Sequence, residues 1–499
     1  MAKRAGRLIA VASAVSMVSL LTVSGLGAEG AAAASGPGTT GSPPATAGQQ
    51  GEYPVCGAPG NGRARCYVHV SKVGGGVGPD ATASPTGLDP ATVKSVYAFP
   101  AASSAGTGQT IAIVDAYDDP TVFNDLNVFD QQYGLSCNSC LSKVVELDGS
   151  GNPPAVDGGW ALEISLDVQW AHAIAPAAKI VLVEALDSSW SNLMAAEDYA
   201  ADPAGAGGQY VSNSWGGSEF CSFLCETAYD SHFARTGVSY FVAAGDSGLP
   251  AQYPSSSPNV ISVGGTSLHF NTSGSFTSET GWSSGGGGCS SYETATAAQS
   301  GFSQYSQVGC KGTRATPDVS LDADPTSGVS VYDSTPYNSA TGWWKVGGTS
   351  ASTPMWAARS AVQAAVVNSA YVYGASLSYR DIISGNNGAP CLPGYDLCSG
   401  RGSWLDAGAV EAGPVAAFSH SCSGTVCSFN GSSSADADGW SWAGGDAFSA
   451  SGVTASHTYT TSGTFAVNLT VTDADSGETA NASGTVTCKF GKRNRLACS

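Results

Sequence analysis

Three stretches of this 499-residue chain carry side chains that could make and break an acyl bond. The first is Gly347-Gly348-Thr349-Ser350-Ala351-Ser352-Thr353-Pro354, which runs into a helical pattern at Met355–Val367. Proline suits the first turn of a helix, so Pro354 puts Ser350 on a glycine-flanked turn at a helix N-terminus. Free backbone N–H groups and the helix dipole favour negative charge there, which a nucleophilic serine needs when its acyl intermediate becomes an oxyanion. The same residues would also make an ordinary N-cap. The second stretch holds Glu163 and Asp167, four residues apart within Trp160–Ile174 and so on one helix face. Leu162, Ile164, Leu166, Val168 and Trp170 make that helix apolar almost all round, and burial would couple the two titrations. On a solvated face the pair would be idle. The third stretch, Val242-Ala243-Ala244-Gly245-Asp246-Ser247-Gly248, places an acid after a buried strand in a glycine-bearing turn. Ligands of parallel sheets sit at such strand ends, although an Asx turn would explain the acid equally well.

A serine nucleophile needs a base, and the usual one is histidine. The six histidines are His69, His172, His232, His269, His420 and His457, and none lies in a His-Gly-Thr turn. His172 reads as structural inside an apolar helix, and His457 belongs to the C-terminal β region. The base, if there is one, is another residue type.

The elements that would hold these residues read as an α/β fold. Buried-strand runs occur at Thr110–Asp115, Lys179–Glu184, Tyr210–Trp215, Val238–Ala243 and Asn259–Val263, with helical patterns at Val122–Gln132, Trp160–Ile174, Trp190–Ala200 and Glu226–Arg235. Strands alternating with helices predict a doubly wound, mostly parallel sheet covered on both faces. After Pro414 the pattern becomes short alternating strands at Ala416–Phe418, Val426–Phe429, His457–Tyr459 and Thr464–Thr472, which predicts a small all-β sandwich. Residues 35–88 are rich in Gly, Pro, Ser and Ala and read as a linker or short pro-segment. The expected organisation is a leader over 1–34, that linker, an enzyme domain over 89–413, the sandwich over 414–488 and a solvated basic tail over 489–499 with Lys489, Lys492, Arg493 and Arg495.

Composition bounds the compartment and the partners. Asp+Glu 39 against Lys+Arg 20 gives a net charge of −19, which repels phosphate and argues against a nucleic-acid binder. A hydrophobic content of 42% is ample for a core and excludes disorder throughout. Surplus carboxyls suit an environment in which many are protonated. Lys3, Arg4 and Arg7 precede an apolar run from Leu8 to Ala28, followed by small residues through Ala34, the pattern of a secretory signal. The run is nearly long enough to anchor the chain in a membrane, but its many Ala, Ser and Gly residues make it weakly apolar. Secretion and no membrane span after signal removal are therefore expected. Fourteen cysteines agree with export and read as disulfides, with nearest neighbours as one pairing among many. Zinc is the rival reading, but Cys137-Asn-Ser-Cys140 has no second pair at finger spacing.

Glu163-x-x-x-Asp167, Ala244-Gly245-Asp246-Ser247-Gly248 and Gly348-Thr349-Ser350-Ala351-Ser352-Thr353-Pro354 together resemble the sedolisins, the serine-carboxyl peptidases, over residues 90–410. Val211-Ser212-Asn213-Ser214-Trp215-Gly216 and Gly286-Gly287-Gly288-Cys289-Ser290 are also similar to that family. The resemblance implies a subtilisin-like fold, with Ser350 as nucleophile, Glu163 as general base, Asp167 orienting Glu163, and Asp246 in the oxyanion hole. The chemistry agrees. At pH ~4 an imidazole of pKa ~6.5 is protonated and useless as a base, whereas a carboxyl of pKa ~4.3 is partly ionised. A protonated Asp246 could donate to an oxyanion. The expectation is a monomeric, acid-active endopeptidase acting on protein or peptide substrates.

Tyr379-Arg380-Asp381-Ile382 and Leu392-Pro393-Gly394-Tyr395-Asp396 resemble the calcium loop of the same family. The resemblance implies one structural Ca²⁺ held by the Asp381 and Asp396 side chains and the carbonyls of Ile382, Leu392 and Gly394, with Leu392 standing where the family has glycine. The alternative is a disulfide-held turn between Cys391 and Cys398. The large prodomain usual in the family has only some fifty residues as its counterpart here. Residues 457–473 resemble PKD domains, with a degenerate Trp442-Ala443-Gly444-Gly445-Asp446 segment. Two rival functions are a non-catalytic secreted binding or adhesion protein on a peptidase scaffold and a secreted esterase. Gly281-Trp282-Ser283-Ser284-Gly285 fits an esterase pattern, but a glycine run follows it where a helix is needed.

Overall fold

The computed structural model describes residues 7–11, 52–71, 81–221, 225–374, 378–405, 416–434, 437, 439–472, 479–491 and 495–499. Most of the expected leader, residues 35–51 and 72–80 of the expected linker, and Lys492 and Arg493 lie outside them.

An 11-stranded sheet forms the centre of the larger domain. Its parallel strands run in the order Leu141–Leu147, Lys179–Ala185, Thr110–Ala116, Tyr210–Asn213, Ser239–Ala243, Ile261–Phe270, Val319–Asp322 and Ser403–Trp404. Antiparallel strands finish it: Arg7–Val11 on one edge, Tyr379–Arg380 on the other, and Phe276–Gly281 beside Ile261–Phe270. The β-branched runs Ile111–Val114 and Ile180–Val183 are buried, as strands covered on both faces must be.

Two helices sit against this sheet and against each other, Gly158–Ile174 and Thr349–Gln363. Every residue from Gly159 to Ile174 is buried, and the Asp157 side chain caps the helix by accepting from the Gly159 and Trp160 N–H groups. Where a helix is expected at Glu226–Arg235, two short 3₁₀ turns occur instead, Glu226–Ala228 and Asp230–Phe233. The segment is pinned at its start and middle by side chains that compete with helical hydrogen bonding. Glu226 accepts from the Phe220 N–H, and Asp230 from the Tyr253 hydroxyl.

Residues 52–71 hold three short strands where an irregular linker is expected. Glu52–Pro54 pairs with His69–Ser71, which pairs in turn with Ala340–Gly347, and Arg65–Cys66 pairs with Trp215–Ser218. Val68 and Val70 are fully buried and Cys56 is bonded to Cys66. Glycine and proline around these few β-branched residues hide the strands in a composition profile.

The C-terminal unit has its own core of Phe429, Trp442, Phe448, Tyr459, Val467, Leu469, Val471 and Val486 between sheets of three and five strands. The expected free tail is partly wrong. Leu496–Cys498 pairs with Thr479–Phe490, and Cys488 is bonded to Cys498. All fourteen cysteines pair with their nearest neighbours, so none is left for zinc.

Candidate active site

The four acid and hydroxyl side chains singled out in the sequence converge from three elements. The Ser350 hydroxyl donates to Glu163 Oε2 at 2.9 Å and lies 3.3 Å from the Ser214 carbonyl oxygen. Asp167, one turn further along the same helix, accepts from the Ser214 hydroxyl at 2.9 Å. Asp246 reaches in from the end of the strand Ser239–Ala243, and its Oδ1 accepts from both the N–H and the hydroxyl of Thr349 at 2.8 Å. Thr349 in turn accepts from the Gly245 N–H at 3.1 Å, which ties the acid's loop to the serine's turn. Ser350, Glu163 and Asp167 are fully buried and Asp246 nearly so.

Helix Thr349–Gln363 begins one residue before Ser350, so Pro354 lies beyond the first turn, contrary to expectation. Gly348 forces the early start because its φ of +99° turns the chain directly into the helix. Pro354 supplies no N–H for the carbonyl of Ser350, four residues back. The Ser214 hydroxyl faces that carbonyl at 3.5 Å. Gly348 is also a close-approach position. A Cβ there would lie 1.9 Å from the Tyr67 carbonyl oxygen and 2.8 Å from Asp246 Oδ2.

Burial dominates the electrostatics. Glu163 is held well above the usual carboxyl range by burial and then by Asp167, while its hydrogen bond from Ser350 pulls the other way. Burial also raises Asp167 well above its ordinary value. Glu163 Oε1 and Asp167 Oδ2 have no hydrogen-bond partner among the described residues. Burial pushes Asp246 up to about 7, so below neutrality its Oδ2 carries a proton that it can donate.

Several site residues escaped the sequence reading. Asp115, the last residue but one of the strand Thr110–Ala116, has both carboxyl oxygens unpaired and no exposure, and it is raised by burial and then by Asp167, Glu163 and Glu184. His69 Nε2 lies 3.4 Å from Asp246 Oδ2, and burial lowers the ring's pKa to about 3, so it is neutral through most of the acid range. Its position in an apparent linker hid it. His172 and His457 are structural, paired with Asp130 and Asp446.

The two carboxylates expected to hold calcium both accept from backbone N–H groups. Asp381 Oδ2 accepts from the Gly394 N–H at 2.7 Å and Asp396 Oδ2 from the Leu392 N–H at 2.6 Å. Ile382 is buried beside the Cys391–Cys398 bridge. Asp396, pushed up to about 6 by burial, would gain from a cation. Carboxylates are the donors a hard cation takes, and here Asp396 Oδ1 also accepts from the Cys398 and Ser399 N–H groups at 3.0 and 2.8 Å. A separate, unanticipated cluster brings one carboxylate oxygen each of Asp119, Asp125 and Asp333 within 4.8 Å of one another, all buried.

Known proteins fit this arrangement. Residues 158–383 match the subtilase family and residues 411–488 the PKD domain. Kumamolisin from Bacillus sp. (strain MN-32) is 30% identical over 361 residues, covering 64% of this chain and 63% of that protein. Sedolisin from Pseudomonas sp. (strain 101) is 28% identical over 357 residues, covering 63% and 58%. The solved structure of Pseudomonas sedolisin, a serine-carboxyl proteinase complexed with two molecules of pseudo-iodotyrostatin, superposes with a TM-score of 0.54 at 26% identity, covering 64% of this chain and 96% of that one. The larger domain has a sedolisin-like subtilisin fold, and residues 158–383 of it match the subtilase family. The chain spans less than two thirds of the length of these curated relatives. The sedolisin fold accounts for the parallel sheet, and the PKD domain for the antiparallel sandwich after it.

Proposed function

We propose that the chain is a secreted serine-carboxyl endopeptidase that hydrolyses peptide bonds in proteins at acid pH. The observation that carries this reading is the 2.9 Å hydrogen bond from Ser350 to Glu163, a carboxyl with no imidazole on the serine. In this reading Ser350 Oγ attacks the substrate carbonyl as Glu163 takes its proton. The Glu163–Asp167 pair shares one proton and holds one negative charge, which makes Glu163 a base under acid conditions despite its burial. Asp246, protonated below about 7, donates to the tetrahedral oxyanion. Glu163 returns the proton to the leaving amine, and water then hydrolyses the acyl-enzyme by the same relay.

A single Ca²⁺ would be held by Asp381, Asp396 and the carbonyls of Ile382, Leu392 and Gly394. It would supply charge that keeps both loops together. Secretion is supported by the seven disulfides and the basic-apolar start of the chain. No helix among the described residues is long and apolar enough to cross a membrane. The test is cleavage of denatured casein at pH 4. Activity of the wild type that is abolished by both Ser350→Ala and Glu163→Gln supports the reading, and cleavage that survives both changes overturns it.

A further inference from the structure

Three buried acids that the proposed mechanism does not use form a second oxygen-rich centre. Asp119 follows the strand Thr110–Ala116, Asp125 lies in the first turn of the helix Val122–Tyr133, and Asp333 lies in the strand Val329–Tyr337. All three are buried, and one carboxylate oxygen of each lies within 4.8 Å of the other two. Two oxygens on one calcium ion, each bound at about 2.4 Å, can be no more than about 4.8 Å apart, so the three fit a single ion.

The hydrogen bonding of this centre does not close. Asp333 is fully buried, and its Oδ1 accepts from the Thr335 N–H at 2.8 Å, but its Oδ2 has no partner among the described residues. Asp119 Oδ1 faces the Thr121 and Thr335 hydroxyls at 3.1 and 3.0 Å. Asp125 Oδ2 faces the Thr121 hydroxyl at 2.6 Å, and the two hydroxyls lie 2.8 Å apart. Those four contacts share two hydroxyl protons, so two of them bring oxygens together with no proton between. The neighbouring cation does not fill the gap. Lys143 donates to the Asp119 carbonyl oxygen at 2.7 Å, and its charge is taken by Asp118 and Glu184. A buried carboxyl oxygen without a partner, beside oxygens short of protons, marks the place of a missing positive charge.

We propose that Asp119, Asp125 and Asp333 bind a divalent cation, calcium, with the Thr121 and Thr335 hydroxyls as further oxygen ligands. This centre shares no residue with the loops of Asp381 and Asp396. Its donors are all oxygens, with no histidine or cysteine among them, which suits calcium over zinc. The ion would satisfy Asp333 Oδ2 and separate the crowded oxygens in one step. It would tie the turn after Thr110–Ala116 to the helix Val122–Tyr133 and the strand Val329–Tyr337. Ser165, on the helix that carries Glu163, donates to Asp119 Oδ2 at 3.3 Å, so the same ion braces that helix. Burial raises Asp119 to about 6 and Asp333 to about 9. Protons therefore hold the centre in acid, and calcium competes with far fewer of them above neutrality.

The experiment is isothermal titration of CaCl2 at pH 8 into full-length Ser350→Ala protein, stripped with EDTA and dialysed. The same titration is run with Asp333→Asn or Asp125→Asn added, and near-UV circular dichroism establishes that each variant is folded. The expected result is one ion fewer per chain in either variant, whereas Asp396→Ala keeps this ion. Calcium should also raise Tm at pH 8 in Asp396→Ala protein, and the rise should vanish once Asp333→Asn is added. At pH 6 the rise in Asp396→Ala should be lost, because protons hold the centre. An unchanged number of bound ions in folded Asp333→Asn or Asp125→Asn would overturn the proposal, as would a Ser350→Ala protein that binds no calcium. Should both variants fail to fold, an Asp396→Ala protein whose Tm at pH 8 ignores calcium would overturn it as well. None of these readouts depends on peptidase activity, so the reading of Ser350 and Glu163 stands or falls separately.

Discussion

The alkaline limit of activity should report one proton, that of Asp246. Its Oδ1 is fully engaged by the Thr349 N–H and hydroxyl, so Oδ2, 3.4 Å from His69 Nε2, is the oxygen left to act on an oxyanion, and it can donate only while protonated. Burial sets that limit at about 7. Asp246→Asn keeps an oxygen for Thr349 and replaces the titrating hydroxyl with an N–H that never ionises. The expected profile of kcat/KM keeps its acid limb, stays within about tenfold of the wild type at pH 4, and loses the fall near 7. Asp246→Ala removes the donor and leaves the Thr349 hydroxyl without its acceptor. Loss of one oxyanion donor costs about 10²–10³ in rate, or roughly 2.7–4 kcal/mol. The assay is kcat/KM on an internally quenched peptide from pH 3 to 9. An Asp246→Asn enzyme whose activity still falls at the wild-type pH would refute the reasoning, because the limb would then belong to another group.

Further outcomes follow from the buried acids. Asp119, Asp333, Glu226 and Glu293 are raised to about 6, 9, 8 and 8 by burial. Between their unfolded values near 4 and these folded values the native state binds more protons than the unfolded chain, so stability is full below about 4 and falls as pH rises. Differential scanning calorimetry of Ser350→Ala should give a Tm lower at pH 8 than at pH 5 by roughly 5 °C or more. Asp115→Asn removes an acid coupled to Asp167 and Glu163 without touching the serine. It should shift the acid limb of kcat/KM while leaving KM within about twofold, read from the same pH series. If calcium binds at Asp381 and Asp396, EDTA should lower Tm at pH 6, and Ca²⁺ at about 100 times its Kd should restore roughly 2.7 kcal/mol, an effect absent in Asp396→Ala.

The parallel sheet was legible because its strands are short apolar runs separated by helical periodicity. The predicted ends of Thr110–Asp115 and Lys179–Glu184 each fall one residue short of the strand. Glu163 and Asp167 stood out because an apolar helix gives two acids no polar company, and burial of the whole helix bears out that expectation. Arg65–Ser71 was not legible. Its strands have no periodicity long enough to register, and their pairing partners are at Gly216 and Gly347, about 150 and 280 residues away in sequence. Asp115 was missed for a different reason. Inside a continuous buried strand a carboxyl reads as a paired or solvated end, and only the assembled site shows that its neighbours are also acids.

The central claim is that a carboxyl, and no imidazole, activates Ser350. The most direct measurement is kcat/KM at pH 4 for Glu163→Gln against wild type, on one peptide, with near-UV circular dichroism to establish that both are folded. A fall of about 10⁴ or more with an unchanged spectrum is the predicted result. Activity within tenfold of wild type, or an equal loss on replacing His69 alone, would contradict it.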